Sequence, residues 1–227
     1  MDLLGPSIGT IFNKSFKQFS EKTIILVIIQ MVFFIQIERI EFIHRKNLIH
    51  RDIKPENFLS GKGGNEGILY IVDFGLARRF REFTTGNHIP YKTQKNLTGT
   101  AKYVSINTHL GVGDIKLEQS RRDDLESLSY IMIFFLKGNL PWDSTKEKDK
   151  TRKYNMIKEI KLSISLELLT KGLASEYLEF CQYCHNLKFE EKPDYEYLYN
   201  LLKKRYCQIE NDKGECYELS NVIVILN

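Results

Sequence analysis

The chain has 227 residues, 42% of them hydrophobic and 27% charged, with a net charge of +4. This length and composition describe a globular chain able to bury one good core, in one or two domains. The charge is too small to argue for bulk nucleic-acid binding, and four scattered cysteines with no convincing signal peptide favour a reducing intracellular compartment, cytoplasm or nucleus.

In chain order, Leu3-Leu4-Gly5-Pro6 reads as a short extended piece, and Ser7 as the N-cap of a helix. Ile8, Ile11, Phe12, Phe16 and Phe19 then follow at helical spacing as one apolar stripe. Residues 23–37 are almost wholly apolar, broken by Gln30 and Gln36. This run is shorter than the ~20 residues of a membrane span, so it reads as a helix buried on all sides.

Residues 47–50 lead into the octapeptide His50-Arg51-Asp52-Ile53-Lys54-Pro55-Glu56-Asn57. Phe58-Leu59 is a short strand, residues 61–67 a glycine-rich turn, and residues 68–72 the return strand that delivers Asp73-Phe74-Gly75. The turn matches neither G-x-G-x-x-G nor a P-loop. Residues 78–108 read as a long loop, and long loops in compact domains are usually functional. Acidic Asp123 and Asp124 open a helix whose later part, 130–136, is apolar all round. Further helices are expected near 154–160, 165–169, 175–184 and 195–206, with a tail from 211.

Cys181-Gln182-Tyr183-Cys184-His185 has the form of a haem-attachment pattern but lies within an expected helix, where buried structural cysteines are the better reading. Cys207 and Cys216 are too isolated to argue for zinc. His50 reads as packing beneath its loop. Arg121-Arg122 reads as neutralised by Asp123 and Asp124.

The octapeptide has the form H-R-D-x-x-x-x-N, and with Asp-Phe-Gly further along it resembles the paired catalytic motifs of protein kinases. Several stretches narrow the resemblance to the casein kinase I family: Leu3 to Ser7, His88-Ile89-Pro90-Tyr91, Asn96 to Ala101, Tyr103 to Gly111, Glu118 to Leu128, Leu140-Pro141-Trp142 and Glu191 to Tyr195. Ser105-Ile106-Asn107 stands where most kinases carry Ala-Pro-Glu.

The resemblance implies an α+β, mainly α, fold: the C-terminal lobe of a kinase over residues 1–210, with short β-hairpins around the catalytic loop. It implies ATP and Mg2+ as cofactors and Ser/Thr transfer to acidic or phospho-primed protein substrates. It places the catalytic base at Asp52, with Lys54 at the transferred phosphoryl group. Magnesium falls to Asn57 and Asp73, and the anchor of the loop to Asp124. Substrate anions fall to Lys102 with Lys153, and to Arg51, Arg78 and Lys95. Lys102 stands where the family has arginine, keeping the charge without the bidentate fork.

Relative to that family the sequence begins at the hinge, without Gly-rich loop, strand lysine or helix-C glutamate. It also carries insertions near 32–36 and 112–117. The expectation is therefore little activity for this chain alone, the alternatives being a non-catalytic binding module or an unstable fragment.

Overall fold

The computed structural model describes residues 3–32, 39–91, 98–110 and 118–211. Two insertion sites (all of 112–117, most of 32–36), Lys95 and residues 212–227 lie outside them. Among the described residues nine α-helices surround two two-stranded antiparallel sheets.

Helix α1 (Ile8–Lys14) starts where Ser7 accepts a hydrogen bond from Thr10 N, as its sequence foretold. Ile8 and Phe12 are buried, and Phe19 packs on the same core. Phe16 leaves the expected stripe, however. It and Lys17 have φ of 55° and 59°, so the chain turns there and Phe16 is 88% exposed. Spacing alone could not reveal the turn, because no glycine or proline marks it.

Helix α2 (Glu21–Val32) is buried along most of its length. Its polar break, Gln30, is satisfied: Nε2 donates to Gly67 O at 3.0 Å and Oε1 accepts from Leu69 N at 3.1 Å. A short α3 (Ile40–Arg45), which the sequence reading did not anticipate, leads into β1 (Leu48–Ile49). β2 (Phe58–Ser60) and β3 (Leu69–Ile71) form the expected hairpin, with Leu59 opposite Tyr70. The extended N-terminal piece lies along its edge through Gly5 N to Ser60 O at 2.7 Å and Ser60 N to Pro6 O at 3.0 Å.

The long loop expected over 78–108 is more structured than its composition implied. Arg78–Arg79 forms β4 and pairs with β1, and residues Ile106–Leu110 form α4. Both are too short to carry a periodic signal. Helix α5 (Arg121–Lys137) is the centre of the molecule, buried almost throughout and packed on α2 and on α8 (Ser175–Asn186). Asp123 Oδ2 accepts from Ser120 N at 2.7 Å at its start, and Gly138, with φ of 75°, ends it. An aromatic cluster of Phe12, Phe19, Phe134 and Phe135 joins α1 to α5, Phe12 and Phe135 lying 4.8 Å apart.

Helix α6 (Lys150–Ser163) is longer than the segment expected near 154–160, because Asp149 caps it by accepting from Arg152 N at 2.8 Å. The short α7 (Leu166–Leu169) follows, and α9 (Tyr195–Asn211) closes the core against α2 and α8. Among the described residues no helix is long and apolar enough to cross a membrane.

Candidate active site

The octapeptide at residues 50–57 leaves β1 and is held from beneath by one side chain. Asp124, near the start of α5 and 2% exposed, accepts from His50 N at 2.8 Å and Arg51 N at 2.9 Å. A third donor is His44 Nε2 at 2.9 Å, whose Nδ1 in turn accepts from the Tyr195 hydroxyl at 2.6 Å. Burial alone would push the Asp124 carboxyl up, but the hydrogen bonds from His44 and from the His50 amide hold it below the ordinary value. His44 itself is lowered, first by burial, so it is the neutral imidazole that bridges Tyr195 to Asp124.

His50 is fully buried. Its Nε2 donates to Val72 O at 3.0 Å and its Nδ1 accepts from Asp52 N at 3.3 Å, with Phe74 edge-on at 5.2 Å. The ring thus ties the octapeptide to the strand that delivers Asp73, and both its nitrogens are occupied by this work. Arg51 has φ of 68°, and Gly99, at φ 105°, lies so close that a Cβ on it would sit 2.6 Å from the Arg51 carbonyl oxygen.

Asp52 is fixed through both carboxylate oxygens. Thr100 Oγ1 donates to Oδ1 at 2.7 Å, and Lys54 Nζ lies 2.5 Å from Oδ2. Asn57 Nδ2 donates to Asp52 O at 2.9 Å and approaches Oδ2 at 3.4 Å, which leaves Asn57 Oδ1 as its acceptor. The Val72 amide donates to Asn57 O at 3.0 Å, so Asn57 adjoins the end of the strand carrying Asp73. Asp73 is exposed, in the left-handed region (φ 63°), with Oδ1 accepting from Gly75 N at 3.3 Å.

These two hard oxygen donors suit magnesium, which takes one or two protein carboxylate-type ligands and completes its shell from phosphates and water. Among the described residues no cluster of three or more His, Cys, Asp or Glu could hold a metal unaided. Cys181 and Cys184 are buried free thiols, and burial pushes Cys181 up to about 12, so neither offers a thiolate.

The anion-binding candidates are distributed less simply than the resemblance implied. Arg51 donates through Nε to Leu76 O at 2.6 Å, and Arg78 NH1 lies 2.5 Å from Glu118 Oε1, so Arg78 already has a carboxylate partner. Lys102 pairs with Asp143 at 2.7 Å and stands 3.7 Å over the Phe134 ring. Burial lowers its pKa, against the pull of Asp143. Lys153 is exposed on the first turn of α6. It does not line the cleft beside Asp52. Lys102 lines that cleft, about 420 Å³ in volume, with Lys17, Lys54, Asn13, Glu56 and Thr100.

Four contributors escaped the sequence reading: His44 and Tyr195, distant in sequence from Asp124; Thr100, quoted only within a longer stretch; and Lys17, whose place depends on the unanticipated turn at Phe16. A buried carboxylate thus holds the backbone of this loop, another is fixed on the loop itself, and a third stands on the neighbouring turn. The chain matches the protein kinase domain over residues 9–206, most of its length, and belongs to that family. Phosphoryl transfer to protein substrates is the chemistry of that domain.

Proposed function

We propose that this chain is the catalytic-loop half of a casein kinase I–like Ser/Thr kinase, a C-lobe acting on acidic or phospho-primed protein substrates. The observation that carries the reading is Asp52, held by Thr100 on one oxygen and Lys54 on the other, at the edge of a cleft with three lysines and one glutamate.

ATP with Mg2+, when bound, supplies the γ-phosphoryl group and neutralises its charge. Asn57 Oδ1 and the Asp73 carboxylate would hold the metal. Asp52 takes the proton from the acceptor hydroxyl as it attacks, and Lys54, a point cation beside it, offsets charge developing on the transferred group. Asp124 and His50 keep the loop in place, so little reorganisation accompanies reaction. Ser105-Ile106-Asn107, the marker of the resemblance, is docked on α5: Ser105 Oγ donates to Asp123 Oδ1 at 2.5 Å and Ile106 N to Glu126 Oε1 at 2.7 Å.

Two measurements test this reading. A Ser peptide with aspartates or phosphoserine N-terminal to the acceptor should bind at least about tenfold tighter than its lysine-substituted counterpart, and Lys102→Glu should erase the difference. Equal affinity for both peptides would remove the acidic-substrate assignment. Assayed with magnesium and ATP, the 227-residue chain by itself should transfer little phosphate, because no G-x-G-x-x-G occurs in it to cover the nucleotide. Strong magnesium-dependent transfer that Asp52→Asn abolishes would overturn that expectation of low activity.

A further inference from the structure

A second basic cavity adjoins the loop anchor through His44 and Tyr195. It has a volume of about 160 Å³ and is lined by Arg45, Arg81, Arg121 and Lys192 together with His44 and Tyr195. No carboxylate lines it, but Glu41, beside it, lies 3.9 Å from Arg45. Arg45, Arg81 and Lys192 are exposed at its mouth, whereas Arg121 is only 5% exposed.

Arg121 is the unusual member. A buried guanidinium ordinarily faces a carboxylate, because desolvation is otherwise uncompensated. Among the described residues Arg121 has none: its Nη2 donates to the Glu190 carbonyl at 2.6 Å and its guanidinium carbon lies 4.6 Å from the Phe80 ring, while its Nε is buried without an acceptor. The aspartates that follow it turn elsewhere, Asp123 to Ser105 and Ser120, Asp124 to the catalytic loop. The neutralisation read from Arg121-Arg122-Asp123-Asp124 therefore holds only for Arg122, 3.8 Å from Asp123. Burial holds the Arg121 pKa below its ordinary value; Tyr195 opposes it and Arg81 adds a smaller lowering.

We propose that this cavity is a phosphoryl-binding site, in which the buried Arg121 guanidinium backs the anion while Arg81 and Lys192, exposed at the mouth, contact and neutralise it. The chemistry follows from the parts: a guanidinium offers donors in a fork matched to phosphate, and a cluster of like charges gains most from a compact dianion. The volume suits one phosphate with little else. The ligand is free inorganic phosphate or the phosphate of a phosphorylated side chain. The site does not depend on the kinase assignment. Its position has a consequence for the loop, since His44 and Tyr195 line the cavity and also reach Asp124.

The Nε–H resonance of Arg121, assigned by its disappearance in Arg121→Lys, reports on the site directly in the full 227-residue chain. Inorganic phosphate should shift that resonance saturably. The exposed-residue variant Arg81→Gln/Lys192→Gln, which spares the core, should raise the half-saturating concentration at least about tenfold. Arg78→Gln, at a different cluster, should leave it unchanged. A phosphothreonine peptide that saturates the shift at lower concentration than inorganic phosphate would identify a phosphorylated side chain as the source. Equal concentrations would identify the free ion. An Arg121 resonance that moves with neither ligand, or moves equally well in the Arg81→Gln/Lys192→Gln variant, would overturn the proposal.

Discussion

Asp124 has two oxygens and three donors aimed at them, and the position of the catalytic loop follows from that count. Asp124→Asn keeps the shape but turns an NH2 toward donors, so two buried hydrogen bonds to a charged acceptor are lost or inverted. A cost of about 2–4 kcal/mol in urea denaturation is expected, since a bond to a charged group contributes roughly 1.5–3 kcal/mol. The pH dependence has a definite sign. The folded pKa of Asp124 is depressed, so its contribution is complete above the unfolded carboxyl pKa and is lost as pH falls through the folded value. That acid-side loss should be missing in Asp124→Asn. A second residue-level expectation concerns Gly99, whose added methyl would meet the Arg51 oxygen and Val104 Cγ1, each at 2.6 Å, at a φ of 105°. Gly99→Ala should destabilise by roughly 1–3 kcal/mol, read as a lower melting temperature. At this scale the sequence was informative wherever function sits in consecutive residues. Asp52, Lys54 and Asn57 share one short stretch, so their proximity needed no fold to be foreseen. Thr100 needed one, because only the left-handed turn at Gly99 brings its hydroxyl to Asp52.

The segment 98–105 shows how elements, rather than single residues, hold the stretch that carries Thr100 to Asp52. Three donors from three elements fix its carbonyls. His109 in α4 donates to Ala101 O at 3.1 Å, Lys161 in α6 to Val104 O at 2.7 Å, and Trp142 Nε1 to Lys102 O at 2.9 Å. Lys161 is 2% exposed and lies over the rings of Tyr130 and Trp142, with burial lowering its pKa to about 7 against the pull of Glu126. The unfolded chain would hold that proton to the ordinary lysine value near 10.5, so stability should rise with pH above 7. Between pH 7 and 8.5 the gain from this one group is about 1.5 kcal/mol. Chemical denaturation across that range should show the rise in the wild type and a flatter profile in Lys161→Met. Element by element, the strongly patterned pieces were legible: the Ser7 cap, the β2–β3 hairpin and the apolar α5. The β1–β4 pair, α3 and α4 were not, being two to six residues long. Composition alone cannot reveal that Lys161, one lysine of many, turns inward.

At the scale of the molecule, one continuous core runs from α1 to α9, and the last helix reaches the active site through it. Tyr195, the first residue of α9, donates to His44 in α3, His44 to Asp124 in α5, and Asp124 accepts from the amides of His50 and Arg51. Each link joins residues far apart in sequence, so the relay exists only once the whole domain has folded. No local pattern could disclose it. The relay also has a direction: neutral His44 spends its one N–H on Asp124, and therefore requires a donor at Nδ1, which among the described residues the Tyr195 hydroxyl supplies. Tyr195→Phe removes that donor and leaves the ring, which packs 5.9 Å from His44. The fold should survive, with a loss of about 1 kcal/mol for one neutral hydrogen bond. The larger effect should fall on the loop. With Nδ1 unsatisfied and buried, His44 is free to rotate or change tautomer, and Asp124 then loses its third donor. Hydrogen exchange at the His50 and Arg51 amides should accelerate in Tyr195→Phe while exchange in the middle of α5 stays at the wild-type rate. If both regions accelerate together, Tyr195 acts only through global stability and the relay has no separate role. If the loop alone accelerates, α9 holds the catalytic loop in register from the opposite end of the chain.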